Sequence, residues 1–202
     1  MTRNFLKIEF FKKTDVDYLR ELRRMIVFSS LLFLSSAVYG FFFIFLHPES
    51  SQRFLEIFTE LSRKIVDLKQ HELTILIFFN NGFKIAILIF LGILLGIAPI
   101  IFLTANGFLL GVVAFMTQSE NGWAIFLKAI LPHGIFEIPV LIIAGAMGLE
   151  LGKSFIKFLN GEDVLIAESK LAFSFFARIL LPLLLFAAFV EVFITKTMII
   201  SG

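Results

Sequence analysis

Residues 83–117 are apolar enough to cross a membrane and too many to cross it once. Residues 25–46, 123–149 and 172–195 form three further tracts, each reaching the ~20 residues that a spanning helix needs. Inside hydrocarbon only helices and closed barrels satisfy every backbone group, and runs this long read as helices. The sequence therefore predicts an all-α, multi-pass transmembrane bundle of about five spans. Composition agrees: the chain is 58% hydrophobic and 17% charged, whereas soluble domains are about half apolar and a quarter charged. A formal net charge of +2 leaves no nucleic-acid footprint. With no cysteine, disulfides and thiolate metal sites are excluded.

The chain reads as one membrane domain, 1–202. Residues 1–24 are expected to form a cytoplasmic amphipathic helix. Thr14-x-x-Asp17 resembles a capping box, and Tyr18, Leu19, Leu22 and Ile26 recur at helical spacing, which carries the helix into the first span at 25–46. Residues 48–80 read as an outer amphipathic segment, with Phe54, Ile57, Phe58, Leu61, Ile65 and Leu68 on one face. Residues 83–195 hold the remaining spans. Ala98-Pro99 and Asn106-Gly107 interrupt the longest tract, which is divided into one helix ending near Thr104 and a second starting near Asn106. Arg3, Lys7, Lys12, Lys13, Arg20, Arg23 and Arg24 make the N-terminus the densest basic segment, so it is placed in the cytoplasm of a cell-membrane protein. With five spans, Lys153, Lys157, Lys170 and Arg178 return to the same side.

The third tract contains Leu131-Pro-His-Gly-Ile-Phe-Glu-Ile-Pro139. Pro132, Gly134 and Pro139, like Pro99, read as helix breaks, and Gly145-x-x-Gly148 and Gly92-x-x-x-Gly96 as close-packing positions. A histidine and a carboxylate at membrane depth are costly, and such groups are functional candidates by default. Asn80, Asn81, Asn106, His133, Glu137 and Glu191 are expected to form one intramembrane polar cluster, with Lys128 and Arg178 as candidate partners of the carboxylates. Three chemistries fit. His133 and Glu137, with Glu191 or Glu150, could hold a metal for hydrolysis, although a zinc site normally needs more nitrogen or sulfur. Polar groups at broken helices could serve transport of a small solute or ion, as in many carriers. Or the cluster is a packing device in a non-catalytic scaffold. The last reading is preferred, with no cofactor and no metal, and with the lipid bilayer and other membrane or cell-envelope proteins as partners. A homo-oligomer stays open, because small-residue faces more often pack within a chain.

Phe79-Asn80-Asn81, Asn106-Gly107, Leu131-Pro132-His133-Gly134 with Glu137 and Pro139, Ala144-Gly145 with Gly148-Leu149, and Ala187-Ala188 with Glu191 follow one another in an order and spacing that resemble the stage II sporulation protein M family. The resemblance covers well over half of the chain, and the Pro-His-Gly-x-x-Glu element is its most specific part. It implies a multi-pass membrane subunit that, in endospore formers, acts with two peptidoglycan-degrading partners during engulfment. Many relatives occur in organisms that do not sporulate, so the resemblance implies a membrane scaffold more than it implies sporulation.

Overall fold

The computed structural model describes residues 15–47, 49–50, 54 and 69–195, without the side chains of 121, 129–133, 194 and 195. All regular structure among these residues is helical. Helix α1 spans Asp15–Leu46, α2 Gln70–Leu91, α3 Ile97–Asn121 and α4 Trp123–Leu159. The final stretch comprises α5 (Leu165–Phe175), a π-helical turn (Phe176–Leu180), α6 (Leu181–Val190) and a second π-helical turn (Glu191–Thr195). The first π turn ends two residues before Pro182, whose ring nitrogen can donate no helical hydrogen bond. Five stretches are long and apolar enough to cross a membrane: α1, α2, α3, the part of α4 from Gly134, and the run from Leu165 to Phe193.

Two helices are more than half as long again as the hydrocarbon is thick. α1 has 32 residues and α4 has 37, about 48 and 55 Å at ~1.5 Å per residue, against ~30 Å of hydrocarbon. Their charged ends project at the same end of the bundle. There Arg178 Nη2 donates to Asp15 Oδ1 at 2.8 Å, the Tyr18 and Phe175 rings lie 5.3 Å apart, and Lys153 Nζ donates to Glu150 at 2.9 Å. At the opposite end the contacts are aromatic, with Phe41 stacked on Trp123 and Phe43 tilted against Phe108. α4 is the hub, touching α1, α2, α3, α5 and α6.

Two glycine seams bring backbones together. Between α1 and α3, a methyl added at Gly40 would collide with the Phe108 carbonyl. One at Gly107 would meet the carbonyl of Phe33, and one at Gly111 that of Ala37. Ser36 Oγ donates to the Thr104 carbonyl across this seam at 2.6 Å. In the second seam, Gly92 meets the backbone of Gly148, and Gly152 that of Gly96. Beside it, a Cβ at Gly145 would lie 2.7 Å from Leu103, and one at Gly148 2.6 Å from Pro99. Without a hydrophobic drive between helices, close approach of this kind is what holds a membrane bundle together.

Four boundaries differ from the sequence expectation. The long tract does break into two helices, but at Gly92–Gly96 and not between Thr104 and Asn106: Leu95 and Gly96 take left-handed φ of 57° and 72°, reversing the chain. Pro99 falls in the first turn of α3, where its missing N–H has no helical partner to lose. Asn106-Gly107 is interior to α3, with Asn106 Nδ2 donating back to the Phe102 carbonyl at 2.8 Å. Likewise, α4 runs unbroken through Pro132, Gly134 and Pro139. A proline removes one backbone bond, and neighbouring helices compensate inside a membrane. Residues 70–80, expected in the outer segment, belong to α2. Finally, the last span starts at Leu165 and not at Ala172. Thr14 and most of the outer segment's apolar face (Ile57, Phe58, Leu61, Ile65, Leu68) lie outside the described residues; Phe54 packs near Phe108, with ring centroids 6.3 Å apart.

Candidate functional site

α2 and α3 touch each other less than either touches α4. Between them lies a cleft of about 210 Å³. Phe33 of α1 and Leu141 of α4 are buried in its floor. Its polar lining comes from three helices: Asn81 and Lys84 from α2, Asn106 from α3 and Glu137 from α4. Asn81 and Lys84 are three residues apart and so share a helix face. Gly134, one turn before Glu137, is buried at the cleft wall. Asn81 and Lys84 lie inside the span of α2 and Asn106 inside that of α3, while Gly134 and Glu137 fall in the first turn of the spanning part of α4.

Three of the six residues expected to cluster therefore line one cleft: Asn81, Asn106 and Glu137. Asn80 does not. It is exposed, about 100° around α2 from Asn81, and reaches it only through a long amide contact of 3.4 Å. Glu191 is half-buried in the second π turn, which packs on α2 and α4. Glu191 falls near the far end of the last span and outside the cleft lining. The backbone of His133 continues α4, and its side chain lies outside the described residues.

The partners assigned from sequence also change. Arg178 pairs with Asp15, and Glu150 with Lys153, both at the charged end. Glu150 stands about 20 Å along α4 from Glu137, which separates the two carboxylates considered together as metal ligands. Among the described residues, no three His, Asp or Glu side chains are grouped as a metal site would need.

Sequence reasoning missed Lys84. The signal was present: a lysine inside an apolar tract, one turn after Asn81. A single cation hardly lowers the mean hydropathy of so long a run, which is why the tract reads as uniformly apolar.

A family description, stage II sporulation protein M, matches residues 29–196. The chain is 32% identical over 120 residues to an uncharacterized protein of Methanocaldococcus jannaschii, covering 57% of this chain and 67% of that one. A second uncharacterized protein of the same organism is 27% identical over 144 residues, covering 68% of this chain and 63% of the relative. The chain thus spans about two thirds of the length of these relatives. No solved structure matches.

Proposed function

The chain belongs to the stage II sporulation protein M family, and on that premise we propose that this multi-pass membrane protein is a non-catalytic subunit that organises or anchors a membrane complex. The observation that carries this reading is that the four helices around the cleft are locked to one another at backbone distance. α1 is held to α3 at Gly40, Gly107 and Gly111. α2 is held to α4 at Gly92 and Gly148, and α3 to α4 at Pro99 against Gly148. Alternating access works by rocking one body against another around a fixed site. Here such rocking would have to part contacts that leave no room for a methyl group. A rigid frame of this kind suits a subunit that holds other proteins in place.

In this proposal the protein sits in the cell membrane with its N-terminus in the cytoplasm. Support comes from Arg20, Arg23, Arg24, Lys153, Lys157 and Arg178, which share one end of the bundle, as the Arg178–Asp15 pair requires. Site-specific photocrosslinking from Leu31, an exposed α1 residue (63%), tests the function in native membranes. A discrete protein adduct that survives purification is expected; adducts to lipid alone, from Leu31 and from Phe102 in the cleft wall alike, would overturn the scaffold. The polar cleft favours a second reading, passage of a small solute or ion. It predicts flux through the purified protein in liposomes that is lost in Glu137→Ala.

A further inference from the structure

The cleft presents a cation within the length of a helix long and apolar enough to cross a membrane. α2 has 22 residues, about 33 Å, which nearly matches the hydrocarbon thickness. Lys84 lies roughly 10 Å inside its nearer end. In a helix each Cα–Cβ bond leans toward the N-terminus. For Lys84 that direction points to the bilayer centre, away from the nearer boundary, so the usual escape of a lysine head to the interface is opposed by the backbone. Lys84 is exposed on the cleft rim, and among the described residues no ion pair includes it. Glu137, on another wall, is already engaged. A lysine inside a spanning helix is costly unless it finds a partner.

We propose that a transmembrane helix of a different protein, one that carries an Asp or Glu at matching depth, packs over the mouth of the cleft between α2 and α3. Its carboxylate pairs with Lys84 beside the Asn81 amide, and its apolar face covers Phe102 and Leu110. The inference rests on the scaffold reading and names the chemistry of the partner. The depth decides the occupant. Lipid phosphates and carboxylates stay at the headgroups, above this level. Among the described residues a second copy of this chain offers no suitable acid either: Glu137 lies within the cleft itself, and Glu191 lies near the end of the last span.

The test places a photoreactive phenylalanine at Phe102, which is half-buried in the cleft wall, in the full chain in native membranes, and identifies the crosslinked peptide by mass spectrometry. The expected product is one apolar peptide of another protein with an Asp or Glu within a turn of the crosslink. Its yield falls about tenfold in Lys84→Met, persists in Lys84→Arg, and vanishes in Lys84→Glu until the partner's acid is changed to Lys. Crosslinks to lipid alone, to a second copy, or to a peptide without an acid would overturn the proposal, as would a yield indifferent to Lys84→Met. Thermal melting of each variant in detergent separates lost pairing from lost folding. Protein adducts at Leu31 with none at Phe102 would sink this inference and leave the scaffold standing; loss of adducts at both positions would sink both.

Discussion

The glycine seams and the polar cleft lie side by side in this bundle and are specified in opposite ways. At the seam between α1 and α3, backbone meets backbone, and Gly40, Gly107 and Gly111 matter for the atoms they lack. At the cleft, four polar side chains from three helices surround about 210 Å³ of space, and they matter for the charge and hydrogen bonds they carry. A seam has no slack in volume and little chemistry. The cleft has slack in volume and much chemistry. Substitutions that change size should therefore strike the seams, and those that change polarity should strike the cleft.

The largest effect is expected from adding bulk to a seam. Gly111→Leu drives a side chain into the Ala37 carbonyl, and Gly148→Leu drives one into Pro99 and the Leu88 carbonyl. Overpacking a tight core costs ~1–3 kcal/mol and sometimes more. Here the obstacles are backbone and a rigid ring, so each variant should lose more than ~3 kcal/mol. Thermal unfolding in detergent measures it, and a normal melting curve for Gly111→Leu would mean that the helices part easily.

Next comes removal of a polar partner from the cleft. Glu137 is half-buried and engaged, so Glu137→Ala should destabilise by about 1–3 kcal/mol, the cost of leaving a buried partner unpaired. An unchanged melting point together with lost function would make Glu137 an active group and weaken its structural role. The complementary change, Leu110→Phe, adds bulk to the same cleft without altering its charge. It should cost less than ~1 kcal/mol, because there is space to receive the ring. If Leu110→Phe proved as damaging as Gly111→Leu, the contrast between cleft and seam would collapse.

The same contrast explains what the sequence made legible. Span count and helical class follow from hydropathy, because the bilayer forces every spanning backbone to satisfy itself. Asn81, Asn106 and Glu137 line one cleft for a similar reason: polar groups in apolar tracts have to find one another. Break positions were not legible. In water, Asn106-Gly107 or Pro132-x-Gly134 would end a helix, but in a membrane a glycine can equally well admit a neighbouring helix. Gly107 does that against Phe33, while Gly92 and Gly96 both pack and turn. Which glycine turns depends on the partner helix, and that is a fact of three-dimensional packing. Asn80 and Asn81 show the same limit at a single step: adjacent in sequence, they face apart by about 100° once the helix continues through them.

The smallest effect should come from the one polar contact that crosses the α1–α3 seam. Ser36 Oγ donates to the Thr104 carbonyl at 2.6 Å. That carbonyl sits inside the continuous α3 and keeps its place in the helical ladder whether or not Ser36 reaches it. Hydrogen bonds between membrane helices contribute only ~0.6 kcal/mol on average, so Ser36→Ala should lower stability by about that much. Ser36→Leu should cost several times more, because Ser36 Cβ lies within 3.1 Å of where a Gly107 side chain would begin. A double-mutant cycle of Ser36→Ala with Gly111→Ala reads the result. If the Ser36→Ala penalty persists unchanged once Gly111→Ala has opened the seam, the hydrogen bond acts independently of the close approach; if it disappears, the bond is a consequence of the packing, as the geometry of the seam requires.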